Sequence, residues 1–466
     1  MDRSFQFRDA KLLPLLIKFS IPSTIVALSS ILMNSTDRYF IGQAVGRTGI
    51  SAIATIYPLI VLGDALGMFF NAGGSSLVSI QLGQNNLAGA KKTLGTCIFT
   101  VGVIGIIYTL LGFIFMDSIV RFLGASDSNI KYVEDYCKFF LPSVTFQMAF
   151  WSFCAFVRSE GNPIMSMMIN FASIFANVIL DYLLVMVLDW GMKGAAIATS
   201  MANFVPAMLL LYHFYKSDLL KLENKNIVWD FQIVKKMFST GFSSFANEFL
   251  YGTYILVLNM QLLKYGGDIA LVSLGIMTIL RSFINTSYNG LNQGRQPIIS
   301  YNWGAKNYKR VKDTFLLSLL ISSISSVILV SIVVIKSDDI VRLFIKNDPD
   351  VVAYTTKAIR YHLKFMTGTA VYLCCGTYFQ AIRKGFITTR FIFLRLVVLS
   401  IPLAYILPLK FGAMGVLMSF PIADCTTALV SLYFMYKEVK MLDRKYMRHQ
   451  MIERYLKLNK LSLIHI

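Results

Sequence analysis

The chain has 466 residues, 56% of them hydrophobic and only 15% charged, and its mean hydropathy is +0.60. So apolar a composition excludes a soluble globular enzyme or a disordered chain and requires a polytopic membrane protein. The formal charge of +19 is large enough to suit nucleic acid, but the basic residues gather between apolar runs, so no nucleic-acid partner is expected.

Apolar stretches of membrane-spanning length recur from end to end. Twelve are predicted, at roughly 15–40, 50–72, 93–115, 136–157, 164–187, 194–215, 237–262, 269–293, 314–335, 359–382, 387–408 and 413–436. The first is too long for a signal peptide and is not followed by a small-residue cleavage pattern, so it is expected to stay. With an even number of spans both termini share one side. The segments on that side hold 28 of the 44 Lys and Arg residues, which by the positive-inside tendency makes both termini cytoplasmic. The basic tail, "RKYMRHQMIERYLKLNKL", reads as a helix on anionic lipid headgroups or as a solvated segment. The six cysteines fall mainly within apolar spans, show no metal-ligand spacing and read as small buried hydrophobes.

The chain is written twice. A shift of 221 residues brings "LGQNNLAGAKK" (82–92) onto "WGAKNYKRVKD" (303–313), Gly73 onto Gly294 and Ser79 onto Ser300. The same shift brings "VRFLGASD" (120–127) onto "VRLFIKND" (341–348), and Gly191 and Gly194 onto Gly412 and Gly415. Around the fourth span the register is expected to slip by four, setting Arg158 against Arg383. A six-helix shift preserves membrane orientation, so the prediction is an all-α membrane protein with two parallel six-helix repeats, the architecture of transporters that bind cargo between halves. The expected organisation is an amino-terminal lobe at 1–215, a cytoplasmic linker at 216–236, a carboxy-terminal lobe at 237–436 and a basic cytoplasmic tail at 437–466.

Acidic groups at membrane depth are functional candidates by default; here they are Asp37, Asp64, Asp181, Glu248 and Asp424. Asn177 and Asp181, four residues apart, share one face of the fifth helix. Asp181 lies nine residues before the turn near Trp190 and Thr199 nine after it, which sets carboxylate and hydroxyl at one depth, about 13 Å from the turn. Asp37, in "NSTDRYFIG", sits at a comparable depth. Such hard oxygens can replace the water around a small cation, and a carboxylate kept from water can carry a proton instead. From spacing alone a cation site and a helix-joining hydrogen-bond cluster stand equally, and Asp37 can also pair with Arg38. The shift sets Val398, Pro402 and Phe420 against Asn177, Asp181 and Thr199, so any such site belongs to one lobe. Glu248, near the middle of the seventh span, either attracts a cationic substrate or pairs with Arg281 or Arg295. Abundant Phe, Tyr and Met would suit flat, greasy cations. His213 and His362 lack a nucleophile or acid at motif spacing, which argues against an enzyme.

Together "IPSTIVALSSILMNSTDRYFIGQAVG", "GSSLVSIQLGQNNLAGAKK", "FVRSEGNP", "NVILDYLLV", "GAAIATSMA" and "QPIISYNWGAKN" make the chain, over about residues 10–440, resemble the multidrug and toxic compound extrusion (MATE) family, nearest its bacterial DinF-like and MepA-like members. The resemblance implies a secondary active antiporter in the bacterial cytoplasmic (inner) membrane that exports cationic amphipathic drugs or dyes in exchange for Na⁺ or H⁺. It also implies a first-lobe cation site at Asp37, Asn177, Asp181 and Thr199, a helix 7 acid at Glu248, no other cofactor or metal, and a monomer surrounded by lipid. Two departures stand out. Gly241, Phe242 and Ser243 replace a Gly-x-Pro in helix 7, and "CCGTYFQAIRKGF" lacks the helix 10 acid of some members. A lipid-linked oligosaccharide flippase of the same superfamily is the alternative, and Arg281, Arg383, Arg390 and Arg395 would be its pyrophosphate ligands.

Overall fold

The structure, a computed structural model, describes residues 6–345 and 348–464. Residues 346–347 of the second "VRLFIKND" copy and the side chains of 452–466, which include much of the basic tail, lie outside the described set. Among the described residues every regular element is helical. Six long helices form the first half: α1 (Leu12–Ala44), α2 (Arg47–Gly83), α3 (Leu87–Ile114), α4 (Ile130–Ser159), α5 (Pro163–Asp181) and α6 (Gly191–Lys216). The second half repeats them as α7 (231–266), α8 (268–304), α9 (Tyr308–Ile335), α10 (Pro349–Leu363 continuing as Thr367–Ala381), α11 (Gly385–Phe393 continuing to Ile406) and α12 (413–464).

Among the described residues ten helices are long and apolar enough to cross a membrane. One of them, Phe231–Gly304, is two spans joined at Gly267, whose φ of 61° ends α7 and starts α8. The twelfth span is α10, whose two 15-residue pieces are each too short alone. Spacing of four along α3 and α9 turns Ile106, Leu110 and Ile114, and likewise Leu320, Ile324 and Ile328, outward, the apolar face that lipid covers.

The 221-residue period has a backbone cause. Gly46 and Gly267, Gly191 and Gly412, and Asn85 and Lys306 are pairs at that offset, and all six have φ between 51° and 73°. In each half "GQNNL" or "GAKNY" ends a long helix, turns through a left-handed residue and caps the next helix. The Asn86 side chain accepts from Gly89 N at 2.9 Å, and the Asn307 side chain accepts from Arg310 N at 3.2 Å. The short helices Met116–Phe122 and Ser337–Phe344 correspond as well, with Val120 and Val341 buried.

Around the fourth span the expected slip of four residues is wrong. α4 and α10 end at Ser159 and Ala381, and their closing turns make the same three hydrogen bonds at an offset of 222: Gly161 N to Arg158 O matches Arg383 N to Gln380 O. Arg383 (φ 63°) therefore stands where the first half has Gly161 (φ 91°), and Arg158 corresponds to Gln380. The break at Lys364, Phe365 and Met366 supplies the residues that α4 lacks, and the matching arginines hid it.

The halves meet closely at the end of the bundle that carries the amino terminus and the 217–230 connection. A Cβ on Gly83 would stand 2.0 Å from Tyr301 O, and one on Gly304 would stand 2.1 Å from Ile80 O. Ile80 and Tyr301 are themselves a 221 pair, so the seal is nearly two-fold symmetric. Phe7 plugs the same end against Phe19 and Tyr301, and its carbonyl accepts from Asn302 Nδ2 at 2.9 Å and Arg310 Nε at 2.7 Å. The connection is pinned to the first half by Lys91 with Glu223 (3.2 Å) and Lys92 with Asp230 (2.6 Å).

Candidate functional site

α5 carries Asn177 and Asp181 on its buried face, both 0% exposed. The α-helix ends at Asp181 and widens into a π-helical stretch, Tyr182–Val187, before the tight turn through Asp189 and Gly191 into α6. That widening, of the kind that gathers at functional sites, lets the hairpin close so that Thr199 returns beside the pair. Asn177, Asp181 and Thr199 all lie within interaction reach of the Asp37 carboxylate on α1. Yet direct hydrogen bonds do not complete the group. Asp37 Oδ1, both carboxylate oxygens of Asp181 and both amide atoms of Asn177 are buried without a partner, and Thr199 Oγ1 donates to Ala195 O at 3.0 Å.

No direct hydrogen bond of good geometry joins these side chains to one another, so the group keeps acceptor capacity to spare. Three or four largely buried oxygens with up to two negative charges match the needs of a small hard cation or a proton. Tyr136 of α4, 3% exposed, stands next to Thr199 in the same group. Sequence reasoning missed it, because a tyrosine near the start of an apolar span carries no signal. Arg38 turns away to lie over the Tyr57 ring at 5.8 Å, and among the described residues no ion pair joins it to Asp37.

Asp37, Tyr136 and Thr199 border a cavity of about 390 Å³ that reaches between the halves to Asp64, Trp151 and Glu248. Asp64 accepts from Gln147 Nε2 at 3.0 Å and lies within electrostatic reach of Glu248. Glu248 faces this cavity and an adjoining cleft of about 120 Å³ lined with amides such as Asn71, Asn289 and Gln293. Its one hydrogen bond is from the neighbouring Asn247 at 3.2 Å. Neither expected arginine reaches it. Arg281 is engaged by His362 at 3.4 Å and Phe420, and Arg295 by Ser322 at 3.2 Å and by Cys374.

The second half folds its charges inward. Asp424 accepts from Arg395 Nε at 2.5 Å and from Thr369, and Tyr372 meets the same guanidinium. This acid is a structural partner and no free candidate. Arg281, Arg383, Arg390 and Arg395 are absent from the lining of the cavity and cleft, whose charged residues are Asp37, Arg38, Asp64 and Glu248. The cavity therefore lacks the cationic cradle that a pyrophosphate would need. His213 does have an acid: Nε2 meets Glu160 Oε2 at 2.7 Å, and Glu160 also accepts from Ser217 Oγ and Leu220 N. With Oε1 taken by the connection and Oε2 by His213 of α6, that carboxylate anchors a loop.

The MatE family model matches the chain twice, over residues 22–183 and 244–406. The multidrug export protein MepA of Staphylococcus haemolyticus is 28% identical over 436 residues, 93% of this chain and 96% of its own length. MepA of Staphylococcus aureus strain MSSA476 is 28% identical over 438 residues, with the same shares. Among solved structures, an outward-facing multidrug-resistance MATE transporter of the MOP superfamily superposes with a TM-score of 0.89 at 18% identity, over 95% of this chain and 99% of that one. A MOP superfamily transporter of Pyrococcus furiosus, described as having a binding pocket of reversed polarity, gives 0.88 at 18% over 94% and 98%. With two matches of the family model across most of its length and a fold shared with solved transporters, the chain belongs to the MatE family of multi-pass membrane transporters and is not an enzyme.

Proposed function

We propose that the chain is a secondary active antiporter that exports cationic amphipathic drugs or dyes in exchange for Na⁺ or H⁺. The observation that carries this reading is the set of buried, unpartnered oxygens on Asp37, Asn177 and Asp181 at the edge of a large cavity bordered by Asp64 and Glu248. Asp37, Asn177, Asp181 and Thr199 take the coupling ion. Glu248, with aromatic and methionine side chains such as Tyr57, Trp151 and Met68, attracts a greasy cation through charge and ring faces. Because both ligands are positive and one carboxylate-rich cavity serves both, each lowers the affinity for the other, which is the coupling that antiport requires.

Alternating access follows by rocking of the two lobes. The glycine-sealed end gives way as the opposite end closes, once the coupling ion has neutralised the first lobe. The names of the MepA relatives favour drug export, and the carboxylate-lined cavity favours cationic cargo over the pyrophosphate of a flippase. The protein works as a monomer in a bacterial cytoplasmic membrane, with both termini on the cytoplasmic side.

The test is efflux of a fluorescent cationic dye from proteoliposomes under an imposed Na⁺ gradient or an imposed pH gradient. One of the two gradients drives wild-type efflux, and Asp181→Asn abolishes it. Dye movement that ignores both gradients would overturn antiport.

A further inference from the structure

We infer that the second lobe binds a compact inorganic anion, for which chloride is the probe, between Arg281 of α8 and Arg395 of α11. Both side chains are 2% exposed. Three of their nitrogens, Nε and Nη2 of Arg281 and Nη2 of Arg395, are buried without a hydrogen-bond partner.

The local charges do not balance. Asp424 is the one acid in contact and is committed to Arg395 Nε and Thr369. His362 Nδ1 donates to Leu417 O at 2.8 Å, so its Nε2 lone pair faces Arg281 Nη1 at 3.4 Å and the ring is neutral. Among the described residues the other groups around the two arginines are the rings of Tyr251, Phe420 and Tyr372 and the nearby Tyr254. Phe420 carries both guanidinium groups on its ring, Arg395 with its Cζ at 4.3 Å from the centroid. Two cations against one ring, with one carboxylate paired to Arg395, leave a surplus of one positive charge in the buried interior. Ring faces offset such a charge only partly, and a buried ion without a counter-charge is strongly unfavourable. A single monovalent anion that accepts from the three free N–H groups removes both the surplus and the missing hydrogen bonds.

The equivalent place in the first lobe borders a cavity. At the offsets set by the helix ends, Arg281, Thr369, Tyr372, Arg395, Phe420 and Asp424 correspond to Ile60, Gln147, Phe150, Ser173, Thr199 and Asn203, and all six of those border the first-lobe cavity. The second lobe thus places a guanidinium-rich cluster where the first has its acid-bordered cavity. Tyr372 touches both the Arg395 guanidinium and the inter-lobe cleft, so one side chain separates the cluster from the cleft. None of this depends on drug export or on the coupling cation.

The test measures the melting temperature of the purified protein in detergent with sodium fixed and gluconate replaced stepwise by chloride. The wild type gains a few degrees in a saturable manner. Arg281→Gln loses the gain, while Asp181→Asn in the other lobe keeps it. Crystals of the wild type soaked in bromide show an anomalous peak within about 3.5 Å of both guanidinium groups, a readout that survives if Arg281→Gln fails to fold. Equal melting in chloride and gluconate, the same chloride gain in Arg281→Gln, no bromide at the arginines, or stabilisation by formate without chloride, which would mark a carboxylate of the cargo, each overturns the proposal.

Discussion

Replacing Asp181 by Asn separates a transport site from a structural one, because the two make opposite predictions for activity and stability. Asp181 is 0% exposed and neither of its oxygens has a hydrogen-bond partner. Removing its charge breaks no ion pair, since none is formed among the described residues. It also lifts a buried carboxylate away from the facing Asp37. Stability should therefore be unchanged or higher, seen as an equal or raised melting temperature in detergent. The cost falls on the bound cation. At roughly 4 Å and an effective dielectric constant of about 20, one carboxylate is worth about 4 kcal/mol to a monovalent cation, or about a thousandfold in affinity. Under a fixed Na⁺ or pH gradient, dye efflux from proteoliposomes should then fall to the rate without a gradient, and raising Na⁺ or proton concentration tenfold should not restore it. A mutant that melts well below the wild type yet keeps gradient-driven efflux would refute the reasoning and make Asp181 a joint between helices.

Gly83→Ala puts a methyl 2.0 Å from Tyr301 O and should cost about 1–3 kcal/mol of the sealed arrangement, visible as a lower melting temperature and faster labelling of a cysteine placed at Asn85. Asp424→Asn leaves the Arg395 charge buried and without its acid, so it should destabilise by about 3–5 kcal/mol, and adding Arg395→Gln should recover part of the loss in thermal melting. Arg383→Gly should stabilise by up to about 1 kcal/mol, because a non-glycine residue at φ 63° is strained where the first half uses Gly161; chemical denaturation in mixed micelles would read it.

Much of the fold was legible because repeated turns leave repeated letters. The left-handed pairs Gly46 with Gly267 and Gly191 with Gly412 admit few residue types, and the Asn86 and Asn307 caps admit few others, so the period of 221 survives divergence. Asn177, Asp181 and Thr199 were legible for a related reason: polar groups in apolar runs are rare, and helical spacing fixes which of them share a face. What stayed hidden depends on partners far away in sequence. The break in α10 follows a polar stretch, "DPDVVAYTTKAIRYHLKF", whose hydropathy begins too late to reveal the first piece, Pro349–Leu363. The joining of His213 to Glu160 across 53 residues, and the turning of Arg281 toward His362 and away from Glu248, leave no local pattern.

The two lobes begin from one backbone plan and use the equivalent helices in opposite ways. In the first, Thr199 and Asn203 keep small polar groups toward the cavity, and among the described residues no ion pair is made by Asp37 or Asp181. In the second, Phe420 and Asp424 occupy the equivalent positions, and Arg395 neutralises the acid from within. A lobe that carries its own counter-charge has no need of a cation from solution, so its energy is indifferent to the Na⁺ or proton gradient. The first lobe is not. On the proposed mechanism an ion from solution relieves its charge, and that ion would share a cavity bordered by Asp64 and Glu248. On that mechanism the gradient therefore acts through the first lobe, because the acid of the second is already paired.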